Sequence, residues 1–230
     1  MLLNSETPID ESGDEPAIMF KNSQCPVVIG PNRIQAAKHL MENTDSNVIL
    51  SDDGLQHFSL GRDIEILMID GNRKFGNELL LPAGPLREPK SRIKTVDFTI
   101  SSNRKWPSVA KYEMKYRPFK WVHMKSQKEY DIFDWPLKKE VNAVAGIGNP
   151  SNFFNLLKQL GFDISEYAFP DHHDFHSVDF EIMDNQPTVM TEKDAIKCSF
   201  LDHTNYWYLK IEAEVSDNFE QDFLAEIKSK

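Results

Sequence analysis

The sequence predicts an α/β protein with a mostly parallel sheet, and two observations predict it. Short apolar runs typical of buried strands recur along the chain, and amphipathic helical segments alternate with them. Two of the runs end in acidic residues or glycine, namely VILSDDG (48–54) and VNAVAGIGNP (141–150). Because ligands of parallel sheets collect at the carboxyl ends of strands, we expect functional residues at these run ends.

The first hundred residues supply most of the predicted sheet. Strands are predicted at 25–30, 47–51, 64–69 and 96–101. A helix is predicted over 33–42, because Pro31 and Asn32 are typical of a helix start and the apolar residues that follow share one side. This part of the chain is therefore expected to form an α/β layer.

The remainder of the chain is predicted to contain a connector and a second α/β unit. Residues 103–140 alternate aromatic, apolar and basic side chains, which indicates irregular or antiparallel strand structure. A strand ending near 145, a helix over 151–160, a strand-to-helix turn within 187–198, a strand at 205–215 and a helix over 217–228 follow. The predicted domains are 1–104, a connector at 105–140, and a second lobe at 141–230.

Composition excludes several classes of protein. The chain carries 26 Lys and Arg against 36 Asp and Glu, a formal charge of −10, which disfavours a general nucleic-acid binder. Cys25 and Cys198 form no C-x-x-C pair, so neither a zinc ribbon nor a disulfide framework is indicated. No apolar run approaches the roughly 20 residues of a spanning helix. A soluble chain in a reducing compartment is expected.

Asp52 and Asp53 are the first candidate site residues. Paired carboxylates at the end of a buried strand are a common way to hold Mg²⁺ beside a nucleotide phosphate. The alternative is an acidic strand end at which Gly54 makes the turn. No G-x-x-x-x-G-K-[ST] phosphate loop occurs in the 230 residues, so part of the machinery expected for phosphoryl transfer is absent from this sequence.

Two further acidic and histidine-rich segments are ambiguous on spacing alone. Asp14, two residues before Pro16, is most simply a helix N-cap. Residues 171–176 read DHHDFH, which allows a metal site, a histidine assisting proton transfer, or an exposed polar turn. HExxH is absent, so zinc is weakly indicated.

Basic residues are concentrated at 79–94, LLLPAGPLREPKSRIK, where prolines and a glycine precede four cations. Such a rigid, basic segment suits the binding of a phosphate or an anionic headgroup. The sequence indicates a solvated basic loop without a ligand equally well. GIGNP (146–150) lacks the G-x-G-x-x-G fingerprint and is interpreted as a structural strand-to-helix turn.

Six segments taken together closely resemble the tetraacyldisaccharide 4′-kinase family of lipid A biosynthesis. In chain order they are GDEP, DDGLQH, DGNRKFGN-x-LLLPAGPLREP, VAGIGNP-x-x-FF, FPDHHDF and VMTEKDAIKC. The resemblance implies a P-loop-kinase-like core with a second, smaller lobe. It also implies transfer of the ATP γ-phosphate to the 4′-hydroxyl of tetraacyldisaccharide 1-phosphate, at the cytoplasmic face of the Gram-negative inner membrane.

The resemblance also implies roles for individual residues. Asp52 and Asp53 would be the Mg²⁺ carboxylates, with Gln56 and His57 at the same strand end. Asp14 would be the base at the sugar hydroxyl, with His172 as its partner in the form of an imidazolium. The remaining site residues, near phosphate or headgroup, would be Arg33, Arg87 and Glu88.

Because the family's phosphate loop is not in this sequence, the chain is expected to be an N-terminally truncated form that is inactive alone. ATP and Mg²⁺ are the cofactors expected of the intact enzyme, whose contact with the membrane would be peripheral. Two other functions stay open at this stage. One is a metal-dependent hydrolase using Asp52, Asp53, His57 and His172; the other is a non-catalytic module that binds an acylated sugar phosphate.

Overall fold

The structure is a computed structural model that describes residues 1–183, 185–201, 205–216 and 218–230. The helices are α1 (Ile9–Ser12), α2 (Asp14–Ser23), α3 (Arg33–Asn43), α4 (Pro150–Gln159), α5 (Ser177–Phe180), α6 (Glu192–Lys197) and α7 (Asn218–Ser229), with a 3-10 helix at Lys90–Thr95. The strands are β1 (Ile66–Asp70), β2 (Phe98–Ser102), β3 (Tyr112–His123), β4 (Glu129–Asp131), β5 (Glu140–Ala145), β6 (Asp163–Ala168), β7 (Thr188–Thr191) and β8 (Tyr206–Val215).

The chain divides into two compact units that interleave along the sequence. The first unit comprises Met1–Leu50 and Pro118–Ile211, and the second comprises Ser51–Arg117 and Glu212–Lys230. The long strands β3 and β8 contribute residues to both. The predicted domain bounds at residues 104 and 140 concern the family's organisation and stay a prediction.

The first unit is built on a sheet in which β5 is a central strand. β5 pairs in parallel with β6 on one side and β7 on the other, and β7 pairs in parallel with β8. Residues 141–145 of β5 are all buried, as expected of a parallel strand covered on both faces. The antiparallel pairing of β3 with β4 confirms the predicted antiparallel structure between 103 and 140.

Helix α4 packs on this sheet because its sequence places apolar side chains on one face. Pro150 occupies the first turn, where its missing N–H costs nothing. Phe153, Phe154 and Leu157 are buried in the same cluster as Val141 of β5. The helix ends before Gly161, whose φ of +82° is a conformation that favours glycine.

The second unit contains parallel strands and a hydrophobic core cluster of its own. β1 pairs with β2, and β2 pairs with the start of β3. Phe98 and Tyr112 are buried there, and Phe219 and Phe223 of α7 pack edge-on against Phe98. β1 and β2 confirm the strands predicted at 64–69 and 96–101, and the α/β class with a mostly parallel sheet is likewise confirmed.

Two predicted strands are wrong. Residues 25–30 form only an isolated antiparallel bridge, Val28 with Leu2, which is flanked by backbone hydrogen bonds between Val27 and Leu3 and between Ile29 and Met1. Cys25 is exposed. At 47–51 the described residues form no strand, and Leu50 is 82% exposed. An apolar run becomes a buried strand only where a neighbouring strand pairs with it, and none of the described strands pairs with either run.

The helices predicted at 33–42, 151–160 and within 187–198 are confirmed as α3, α4 and α6. The sequence did not predict strand β6, because two consecutive polar residues, Ser165 and Glu166, interrupt the alternation of apolar and polar side chains. The predicted closing helix corresponds to α7, and its predicted first residue, 217, lies outside the described residues. Within the described part of the chain, no helix is long and apolar enough to cross a bilayer.

Truncation of Leu157 tests the packing of α4. Leu157 is completely buried, so Leu157→Ala should lower the free energy of unfolding by about 2–5 kcal/mol through lost contacts and a residual cavity. Leu224→Ala removes the same atoms from a side chain that is 45% exposed and should cost about 0.5 kcal/mol. Urea unfolding followed by circular dichroism measures both, and equal costs would contradict the described packing.

Candidate active site

Asp14 is the first residue of α2 and does not cap it. Gly13 occupies the N-cap position with φ +83°, a backbone conformation that favours glycine. The carboxylate of Asp14 instead lies 3.0 Å from Nζ of Lys197 and 3.5 Å from Nδ1 of His172. The simple N-cap interpretation is therefore wrong, and the structure brings Asp14 and His172 together within the first unit.

Two lysines of α6 complete this group. Lys197 reaches Asp14 and also donates to the backbone carbonyl of His173, 3.3 Å away. Lys193, one turn earlier, lies 3.3 Å from the carboxylate of Glu15 and 3.4 Å from Nε2 of His172. Sequence reasoning did not single out either lysine. The available signal is their i,i+4 spacing, which places both on one face of a helix.

The histidine-rich segment does not form a metal site. His172 has φ +58°, and its backbone N lies 3.2 Å from the carbonyl oxygen of Gly146 and 3.1 Å from the carboxylate of Asp171. Nε2 of His173 lies 3.1 Å from the carboxylate of Asp179, so the two neighbouring histidines contact different groups. Among the described residues no three His, Cys, Asp or Glu side chains are grouped to hold a metal ion, and nothing in the geometry favours the hydrolase alternative.

A buried carboxylate positions α6. Asp194 is fully buried and accepts hydrogen bonds from the hydroxyl of Thr191 at 2.6 Å and from N–H of Gly146 at 3.0 Å. Burial raises the pKa of Asp194, against the lowering effect of these two hydrogen bonds and of the nearby lysines. A side chain at Gly146 would meet Asp194 and the ring of Phe175 at 3.1–3.2 Å, which supports the structural interpretation of this turn.

The thiol of Cys198 is not available for chemistry. Cys198 follows α6 and is completely buried. Burial raises its pKa to about 12, so the thiol stays protonated at neutral pH. A protonated, enclosed thiol is neither a nucleophile nor a metal ligand.

Asp52 and Asp53 lie in an exposed turn of the second unit. Asp53, with φ +47°, is 3.1 Å from the guanidinium of Arg87. Asp52 is exposed, and its carboxylate has no hydrogen-bond or ion-pair partner among the described residues. Two adjacent carboxylates open to water are a donor set that suits Mg²⁺, which keeps several of its water ligands when bound by proteins. The residues present therefore fit the ion.

Behind this turn lies a network of polar side chains. Gln56 accepts from Arg87 at 3.3 Å and donates to Glu88 at 2.7 Å. Glu88 is held in turn by Arg92 at 3.1 Å, and Arg92 also pairs with Glu65 at 2.5 Å. The structure brings together Gln56, Arg87 and Glu88, which the sequence analysis placed in two separate segments. Arg92 was noted there only as one of the basic residues of 79–94, and Glu65 was not singled out.

Two predicted site residues make fewer contacts. His57 is held through its backbone, since its N–H donates to the carbonyl of Gly54 and its carbonyl accepts from Arg62. Arg33 is the first residue of α3, directly after the Asn32 cap, and is half-buried. The described residues show no contact between Arg33 and either Asp14 or His172.

Comparison with known proteins identifies the family. Residues 1–228 match the family described as tetraacyldisaccharide-1-P 4′-kinase. The chain belongs to the tetraacyldisaccharide 4′-kinase family. The tetraacyldisaccharide 4′-kinase of Shewanella woodyi is 44% identical over 95% of this chain, and that of Legionella pneumophila strain Corby is 46% identical over 92%. The chain spans 63% and 64% of the length of these two relatives.

A solved structure of the same family shares the fold. LpxK from Aquifex aeolicus, crystallised in complex with ATP, superposes with a TM-score of 0.81 at 26% identity. The match covers 98% of this chain and 73% of the Aquifex chain. This likeness confirms the P-loop-kinase-like α/β fold that the sequence resemblance implied.

Two arginines of the second unit should differ sharply in their effect on stability. Arg92→Met leaves the carboxylates of Glu65 and Glu88, 13% and 19% exposed, without their shared partner, and should cost about 1–3 kcal/mol. Arg87→Met breaks an exposed pair with Asp53 and should cost less than about 1 kcal/mol. Urea unfolding of both variants checks this, and a larger cost for Arg87→Met would refute the assigned network.

Asp194→Asn should change the pH dependence of stability. A carboxyl whose pKa is raised by folding contributes stability that is complete below its unfolded value, about 3.9, and is lost as pH rises through the folded value. Asparagine does not titrate. The unfolding free energy of Asp194→Asn relative to the parent chain should therefore rise between about pH 4 and neutrality. A pH-independent difference, measured by urea unfolding at several pH values, would contradict the raised pKa.

Proposed function

We propose that this chain takes part in transferring the γ-phosphate of ATP to the 4′-hydroxyl of tetraacyldisaccharide 1-phosphate. Membership of the 4′-kinase family and the printed names of its relatives support the reaction. The ATP complex of the Aquifex relative supports ATP as the donor. The observation that carries the proposal is the contact of the Asp14 carboxylate with Lys197 and His172.

Asp14 is the proposed general base. Its side chain is 14% exposed, so it is largely enclosed yet open to an incoming hydroxyl. In the proposed step the sugar O–H proton passes to the Asp14 carboxylate while the oxygen forms a bond to the γ-phosphorus. The bond from that phosphorus to the β–γ bridging oxygen breaks, and ADP leaves with the electron pair.

Asp52 and Asp53 are the proposed Mg²⁺ carboxylates. The ion, when bound, neutralises the charge of the phosphates during transfer. Asp52 is open to bind it without breaking an existing contact, whereas Asp53 shares its charge with Arg87. Arg87 is 59% exposed and is proposed to bind phosphate through its free N–H groups. Gln56 and Glu88 orient Arg87 and Arg92, and His57 lies in the same turn.

The remaining assignments follow the family. Arg33 is proposed to meet the anionic part of the acceptor, and the proposed location is the cytoplasmic face of the inner membrane, reached by peripheral contact. Because the sequence has no G-x-x-x-x-G-K-[ST] segment, we propose that this polypeptide alone does not transfer phosphate.

A chimera tests the function. The part of the Shewanella woodyi enzyme outside the matched region would be joined to this chain and assayed for ATP-dependent phosphorylation of tetraacyldisaccharide 1-phosphate. Asp14→Ala in the chimera should lower kcat by about 10²–10⁴-fold, because the base is lost. Asp10→Ala, an exposed acid on α1, is the matched control and should leave kcat unchanged. An active chimera in which Asp14→Ala has no effect would refute the assignment.

A further inference from the structure

Helix α6 directs one lysine to each member of the Asp14–His172 pair. Nζ of Lys197 lies 3.0 Å from Oδ2 of Asp14, and Nζ of Lys193 lies 3.4 Å from Nε2 of His172. The two lysine side chains are only 11% and 21% exposed. Their positions are therefore defined by packing and do not belong to a freely solvated face.

These contacts determine where the imidazole carries its proton. A lysine ammonium has three N–H donors and no acceptor, so the nitrogen that faces it must accept. Nε2 of His172 faces Lys193 and is therefore unprotonated. The single proton of a neutral imidazole then lies on Nδ1, which is 3.5 Å from Oδ2 of Asp14, an acceptor.

An imidazolium fits this environment poorly. It would place an Nε2–H against the ammonium of Lys193, so that two donors and two positive charges face each other at 3.4 Å. Asp14 does not need a charged histidine to balance it, because Lys197 already supplies the positive charge at the shorter distance. The carboxylate of Asp171 accepts a hydrogen bond from the backbone N–H of His172, and the carboxylate of Glu15 pairs with Lys193.

We propose that Lys193 and Lys197 are positioning residues that hold the site as an Asp14 carboxylate facing a neutral His172 with its proton on Nδ1. Lys197 pairs with the carboxylate and orients it, and Lys193 fixes the tautomer of the ring. The catalytic meaning of this arrangement depends on the proposed function, whereas the arrangement itself does not. It replaces the imidazolium that the sequence analysis expected with a neutral donor.

The tautomer can be measured directly on the 230-residue chain without ligand. In two-bond ¹H–¹⁵N correlation spectra at pH 7.5, Nδ1 of His172 should have the shift of a protonated nitrogen and Nε2 that of an unprotonated one. The signals are assigned by their loss in His172→Gln. Lys193→Met should lower the ratio of Nδ1–H to Nε2–H tautomer by about fivefold or more, because one hydrogen bond to Nε2 is lost.

Two further variants separate positioning from a general effect on the fold. Lys193→Arg keeps a donor without an acceptor and should preserve the Nδ1–H form. Lys158→Met removes a lysine that pairs with Glu166 in the same unit and should leave His172 unchanged. If Lys193→Met does not fold, as judged by its amide spectrum, the wild-type tautomer still decides the question.

Three results would overturn the proposal: an Nε2–H tautomer in the parent chain, an imidazolium at pH 7.5, or an unchanged ratio in folded Lys193→Met. The spectra do not depend on phosphate transfer, so they are independent of the chimera assay. If the Nδ1–H tautomer is confirmed but Asp14→Ala leaves the chimera fully active, the proposed function is refuted and the proposed protonation of His172 stands. If the tautomer is not found but Asp14→Ala lowers kcat in the chimera, the proposed protonation is refuted and the proposed function stands.

Discussion

The buried carboxylate of Asp194 is the interaction on which the candidate active site depends. It joins the end of β5, through N–H of Gly146, to the start of α6, through the hydroxyl of Thr191. The carbonyl of the same glycine accepts from N–H of His172. One buried side chain therefore sets both the helix that carries the two lysines and the turn that carries the histidine.

This arrangement carries an energetic cost. Asp194 has one carboxylate oxygen without a hydrogen-bond partner, and burial of a charge is unfavourable unless it is well paired. The cost is offset by hydrogen bonds whose loss would leave a buried backbone N–H and a buried hydroxyl without acceptors. A buried acid of this kind contributes to specificity of position more than to stability, because apolar packing would stabilise the fold at least as well without orienting Gly146.

The sequence predicted the α/β fold class correctly, but two of the strands that it predicted, at 25–30 and 47–51, do not form. Runs such as 141–145 are buried on both faces, so hydrophobicity alone identifies them. The run at 48–50 is equally apolar but exposed, because pairing is a property of the whole sheet and cannot be read from one segment. The pairing of Asp14 with His172 came from resemblance alone, since residues 158 positions apart in a sequence carry no local signal of contact.

Lys193 and Lys197 show a different limit. Their spacing was visible, but lysines on a short helix are usually solvated, and only the fold shows which groups they face. Once they are placed, the carboxylates of the group are those of Asp14, Glu15 and Asp171 and its ammonium groups are those of Lys193 and Lys197, so the net charge does not by itself require a neutral His172. The contact with Lys193 decides instead, because a protonated Nε2 would direct its N–H at an ammonium group that has no acceptor. Hydrogen-bond direction therefore favours the neutral ring with its proton on Nδ1.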